Sequence, residues 1–182
     1  MRLLTLLLPC FLAIPVHAQK AKPAPKTIKA DNEVKIKWDG EWSLHASQSD
    51  KIDEQIEAHL QDQNFAMRLL WKKKLQSACR SFSKLDILAG DSFSVTMGKE
   101  RPIDTPADGT EVDWKRSDDE KFKVTLTRNG PTMIQTLTGD GYTVKFVYSM
   151  RKDGDSLALQ GTYTHPKLDN PFTYKLVFKR ND

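Results

Sequence analysis

From Lys121 onward, apolar and polar residues alternate through Lys121-Phe122-Lys123-Val124-Thr125-Leu126-Thr127, the two-residue period of a half-buried strand. Three turn signals follow: Asn129-Gly130, Gly139-Asp140-Gly141 and Asp153-Gly154-Asp155. Each supplies residues that tolerate positive φ between two alternating runs, the local pattern of a β-hairpin. The same reading predicts strands near 84–89, 92–98, 110–115, 121–128, 132–138, 142–150, 156–165 and 172–179. Upstream, Val34, Ile36 and Trp38 alternate with Lys35 and Lys37, and the run resumes after Asp39-Gly40 as Glu41-Trp42-Ser43-Leu44, which predicts one bent opening strand. That makes about nine strands. The stretch from Gly98 to Asp108 carries Pro102 and Pro106 and predicts a short edge strand or a loop.

The period changes to that of a helix between the first strand and the rest. Ser47-Gln48-Ser49-Asp50 offers N-capping side chains, and Ile52, Ile56 and Leu60 recur at spacing four on one face of a helix predicted to end near Asp62. A second helix is predicted from Phe65 to about Arg80, with Met67, Trp71, Leu75 and Ala78 on one stripe and Leu70 beside it. The first helix is acidic (Asp50, Asp53, Glu54, Glu57 and Asp62 against Lys51) and the second basic (Arg68, Lys72, Lys73, Lys74, Arg80), so the pair can neutralise one another as a hairpin. One strand, a helix pair and a long antiparallel meander resolve into a closed barrel or a sandwich, since an open sheet leaves edges. The fold class expected is mainly β with a helix pair: an antiparallel barrel of eight to ten strands capped by a helical hairpin.

The N-terminus changes the compartment. Residues 1–18 read as an export signal, with Arg2, an apolar run from Leu3 to Val16, and Val16-His17-Ala18 at the cleavage site, so the mature chain is expected to begin at Gln19 in the periplasm or outside the cell. The apolar run falls short of the roughly 20 residues a bilayer span needs. Cleavage removes Cys10 and leaves Cys79 as a lone thiol, expected to be buried on its helix and inert. Of the 28 basic residues, 27 remain after cleavage against 24 acidic ones. Residues 19–32 hold Lys20, Lys22, Lys26 and Lys29 against Asp31, with Pro23 and Pro25, and read as a disordered linker. The excess positive charge is therefore confined to the tail. Residues 33–182 are left balanced, as a single barrel domain of a size that supports one core.

Gly40-Glu41-Trp42 resembles the Gly-x-Trp signature of lipocalins and fatty-acid-binding proteins. The order of elements over roughly residues 33 to 180 resembles the fatty-acid-binding branch, in which the helix pair covers the barrel mouth. The chain is also similar to exported proteobacterial proteins of the same plan, a likeness that carries no activity. The resemblance implies that Trp42 plugs the closed end, with a last-strand cation such as Arg180 stacked on its ring. It also exposes a departure. Fatty-acid-binding proteins carry Arg-x-Tyr on the last strand to hold a carboxylate, where this chain has Leu176-Val177-Phe178, so a neutral or sterol-like lipid is expected.

Strand parity points Phe172, Tyr174, Leu176 and Phe178 inward, and likewise Tyr142, Val144, Phe146, Tyr148 and Met150, and Phe122, Val124 and Leu126. These side chains either fill the barrel at native density or leave part of it open. In the open case the guest site comprises Met67 and Trp71 from the lid, with Phe122, Val124, Tyr142, Phe146, Tyr148, Tyr174 and Phe178 from the walls, the tyrosine hydroxyls orienting an apolar molecule. Arg68, Lys72, Lys73 and Lys74 form a basic stripe suited to transient contact with an anionic membrane.

Catalysis finds little support. His45, His59 and His165 lack metal-ligand spacing, and neither a nucleophile elbow nor a phosphate-cradling loop is present, so no cofactor or metal is expected. Asp118-Asp119-Glu120 reads as a solvated bend. The balanced domain and export signal argue against nucleic acid. The function expected is a monomeric, exported, non-enzymatic carrier of a small apolar ligand. The alternative is a cell-envelope protein-binding module of the inhibitor or immunity type, built on a solid barrel.

Overall fold

A computed structural model describes residues 37–181 of the chain. The expected signal, the linker, and Val34 and Ile36 lie outside the described residues. Ten strands form one antiparallel sheet: β1 (Gly40–Leu44), β2 (Lys84–Ala89), β3 (Ser92–Met97), β4 (Ile103–Pro106), β5 (Val112–Lys115), β6 (Lys121–Asn129), β7 (Thr132–Thr138), β8 (Thr143–Met150), β9 (Ser156–Thr164) and β10 (Phe172–Arg180). Their order across the sheet is β4-β3-β2-β1-β10-β9-β8-β7-β6-β5. The sheet curls into a nearly closed barrel whose two end strands, β4 and β5, share no backbone ladder. Helices α1 (Ile52–His59) and α2 (Phe65–Ala78) connect β1 to β2.

The opening strand is shorter than its alternation predicts. Gly40 adopts φ +136°, an ideal Cβ there would lie 2.8 Å from Arg180 Nη1, and β1 begins only at this glycine. Trp38 nevertheless packs inside, edge-on to Phe93 at 5.8 Å. Helix α1 is shorter too, ending at His59 instead of Asp62, and its N-cap residue Lys51 makes no side-chain cap bond. The polar residues expected to cap it serve β10 instead. Past Leu44, β10 loses its strand neighbour; the Val177 N–H then donates to Ser49 Oγ (2.9 Å) and the Lys175 N–H to Asp50 Oδ2 (2.7 Å). An unpaired edge N–H takes whichever acceptor is nearest. The N-cap of α2 is conventional, Asn64 accepting from the Met67 N–H at 3.0 Å. The proline-containing stretch from Gly98 to Asp108 yields the short end strand β4, which raises the strand count to ten.

The register carries one row across the wall: Tyr174 opposite Gly161, Gly161 opposite Phe146, Phe146 opposite Gln135 and Gln135 opposite Leu126. All four side chains in this row are buried. A Cβ at Gly161 would come within 2.3 Å of the Tyr174 ring, so the glycine is what lets that ring lie across β9. Trp42 is fully buried at the end where β1 begins and β10 finishes, and Arg180 stacks on it at 4.2 Å while its guanidinium donates to Asp39 O, Lys37 O and Gly154 O. That is the stoppered end the resemblance implies.

Candidate functional site

At the opposite end the helix pair lies over the mouth and is fastened on two sides. On one side Trp71 packs edge-on to His165 at 4.9 Å, His59 packs on Phe172 at 5.4 Å, and Gln63 donates to Asp169 across the β9–β10 turn. On the other, Arg80, just past α2, reaches Glu100 in the β3–β4 turn (2.9 Å) and Asp118 in the β5–β6 turn (3.1 Å). Those two turns flank the seam between β4 and β5. Side chains close what the backbone leaves open: Trp114 Nε1 donates to Pro102 O (3.0 Å), the Ser117 N–H donates to Glu100 (3.1 Å), and deeper in, Gln135 Nε2 donates to Thr105 Oγ1 (2.8 Å).

Behind this fastening is an apolar pocket with about 30 Å³ of free space. Phe82, Met97 and Ile103 line one side of the seam and Trp114, Phe122, Leu137, Val144 and Phe146 the other, with Arg80, Glu100, Arg101 and Arg116 at the rim. Such a volume holds about one water, whereas small-molecule sites run to roughly 300–1,000 Å³. As described, the pocket has no room for a guest of that size.

The expected site residues divide between this pocket and the packed interior. Phe122 and Phe146 line the pocket. Val124, Tyr148, Tyr174 and Phe178 lie deeper, each no more than 1% exposed, and fill the barrel with one another. Trp71 is buried under the lid and Met67 partly so. The three tyrosine hydroxyls fare differently. Tyr148 donates to Gln135 Oε1 (3.1 Å), Tyr142 donates to Glu120 Oε1 (2.6 Å), and the buried Tyr174 hydroxyl has no partner among the described residues. Of the basic stripe, Arg68 and Lys72 both pair with Glu57 on α1, as the hairpin reading expects. Lys74 sits over the Trp71 ring at 5.2 Å, and Lys73 and Lys74 are exposed beside Phe65, Leu69 and Leu70 on the outside of α2.

Sequence reasoning missed the rim. Asp118 and Glu120 are more than a solvated bend. Arg116, whose side chain is 9% exposed, donates Nε and Nη2 to the two oxygens of Asp118 (2.9 and 2.8 Å) and Nη2 also to Glu120. The guanidinium lies over the Phe122 ring at 5.5 Å. Hydrogen bonds from Arg116 hold the Asp118 carboxyl down to about 2. Burial, then the bond to Glu120, keeps the Tyr142 phenol protonated and a donor. A backbone signal was available: Arg116 and Glu120 bracket a tight turn in which Asp119 takes φ +70°, a conformation aspartate tolerates, so both side chains leave the same corner. Cys79 is free and buried, and burial pushes its thiol up to about 12, the inert state expected.

No protein-family profile matches the chain, and no curated protein matches it. Solved structures do. A protein described as the REP1-NXSQ fatty acid transporter is similar over 79% of this chain and 96% of its own, with TM-score 0.51 and 20% identity. A tyrosine-to-phenylalanine mutant of that transporter gives 0.50 and 21% over 79% and 97%. Human cRBP IV gives 0.51 and 19% over 80% and 98%. Ten antiparallel strands, nearly closed, under two helices constitute the fatty-acid-binding-protein-like, calycin-type fold.

Proposed function

We propose that the protein is an exported, non-enzymatic carrier that takes a small, lipid-like molecule through the mouth of its barrel. The observation that carries this reading is the apolar pocket beneath a lid whose fastening is made of side chains. Ion pairs that stay open to water on one side contribute on the order of 1 kcal/mol each, so parting them costs little compared with the burial of an alkyl chain at about 0.8 kcal/mol per methylene. A guest therefore has the energy to open the seam. The part of it held inside is uncharged, because the inward face of β10 carries no cation. Among the solved structures that share the fold, one is named a fatty acid transporter, which supports a lipid-like cargo.

Phe65, Leu69 and Leu70 are 82%, 62% and 48% exposed on the outer face of α2, beside Lys73 and Lys74. Apolar side chains among cations suit brief docking on an anionic bilayer, with each near-surface cation contributing about 1 kcal/mol before screening. Arg68 and Lys72, held by Glu57, contribute less.

Native mass spectrometry of protein recovered gently from its own host tests the carrier reading. It predicts one apolar mass per monomer, and an added equivalent of dodecanol should bind to emptied protein. Bare protein in every preparation, with no uptake of dodecanol, would contradict the carrier reading.

A further inference from the structure

The carboxylate of Glu120 is gripped in a particular way. Its Oε1 accepts from the Tyr142 hydroxyl at 2.6 Å and its Oε2 from Arg116 Nη2, so each oxygen has a donor of its own, one phenolic and one cationic. Arg116 is buried and must stay paired, because an uncompensated buried charge is strongly destabilising. Asp118 already meets that need with a two-point contact to Nε and Nη2. Glu120 is therefore the partner Arg116 can spare. Its side chain is 32% exposed and stands on a turn at the rim, with water on its outer side to receive it. The guanidinium it touches lines the same pocket as Met97, Ile103, Trp114 and Phe146.

We infer that Arg116 and Tyr142 form a carboxylate-binding pair at the barrel mouth which the chain's own Glu120 occupies in the closed state, and that an acidic amphiphile takes its place. This rests on the reading of the barrel as a lidded guest site. The head group stays at the rim and the alkyl chain enters the pocket. Arg116 keeps a carboxylate partner throughout the exchange, and the displaced Glu120 carboxylate is solvated on the outer side of the turn. The exchange also reconciles an acidic guest with a β10 that has no inward cation: the charge never enters the barrel. Glu120 then acts as a tethered competitor, present at an effective concentration on the millimolar scale. Only a guest whose tail adds apolar burial displaces it, which discriminates against short carboxylates such as acetate.

Calorimetric titration of the full mature protein with dodecanoate and with dodecanol separates the outcomes. Replacing Glu120→Ala is expected to tighten dodecanoate about tenfold, the scale of one charge-assisted hydrogen-bonded competitor removed, and to leave dodecanol within about twofold. Adding Tyr142→Phe to that variant should return most of the gain for dodecanoate and again spare dodecanol. Equal gains for both probes would mean that Glu120 only props the mouth shut, and would overturn the head-group assignment while leaving the carrier reading intact. No binding of either probe by any variant would overturn the carrier reading itself, and this inference with it.

Discussion

The two ends of the barrel each set an arginine against an aromatic ring, and they differ in what holds the arginine. At the stoppered end Arg180 lies over Trp42 and donates to the backbone carbonyls of Lys37, Asp39 and Gly154. Carbonyls belong to the chain path and cannot swing aside without moving it. At the mouth Arg116 lies over Phe122 and donates to carboxylates on the ends of side chains from its own turn. Carboxylates can rotate into water. One end is therefore built as a fixed wall and the other as a fastening, although the two use the same stacking pair. The sheet repeats the contrast, with backbone ladders from β4 through β1 and β10 to β5 but, where β4 faces the other end strand, side-chain bonds such as Trp114 of β5 to Pro102 O and Gln135 of β7 to Thr105 of β4.

The largest way to break this contrast is at the wall. Trp42→Ala should cost about 3–5 kcal/mol in denaturant unfolding, since a fully buried indole leaves a cavity that the ladders around it cannot close. A loss below about 1 kcal/mol would show that the closed end tolerates repacking. Next comes Gly161→Ala, where the added methyl meets the Tyr174 ring at 2.3 Å. Overpacking of this kind costs about 1–3 kcal/mol, and Tyr174→Leu in the same chain should recover part of it.

At the mouth, effects on stability are smaller and effects on opening larger. Arg80→Gln removes the link between α2 and both flanking turns. It should shift global stability by no more than about 1 kcal/mol, while hydrogen exchange of the amides around the β3–β4 and β5–β6 turns accelerates and that of β8 to β10 does not. Uniform acceleration would contradict a local fastening. Acid provides a milder probe. The Asp118 carboxyl is depressed from an ordinary 3.8 to about 2, so its stabilising contribution is complete above 3.8 and lost as pH falls through about 2. Protection of the mouth amides, taken relative to their intrinsic exchange at each pH, should stay flat from neutral pH down to that upper value and fall below it. The smallest effect is at Cys79, whose buried thiol should react with iodoacetamide only as fast as the protein unfolds.

Much of this architecture was legible in the residues. Alternation located the hairpins because each strand has one buried face, and parity assigned Phe122, Val144, Phe146, Tyr148, Tyr174 and Phe178 to the interior, where they lie. Gly40-Glu41-Trp42 pointed to the stoppered end through its likeness to the Gly-x-Trp signature, and Trp42 is buried there. What escaped were contacts that only closure creates. Arg80, Glu100 and Asp118 come from three connections far apart in sequence and meet only once the sheet has curled. Ser49 and Asp50 looked like helix caps because capping and edge-strand pairing ask for the same side-chain oxygens. The fill of the interior escaped as well: parity says which side chains point inward, whereas packing decides how much room they leave.

Where a guest sits is the most direct test of a barrel that opens at its mouth to hold a lipid-like molecule. Nuclear Overhauser contacts from carbon-labelled dodecanol bound to the protein should reach Ile103, Phe122 and Phe146, with the seam amides of β4 and β5 shifting together as it enters. Contacts confined to Phe65, Leu69 and Leu70 on the outside of the lid, with the seam unmoved, would contradict it.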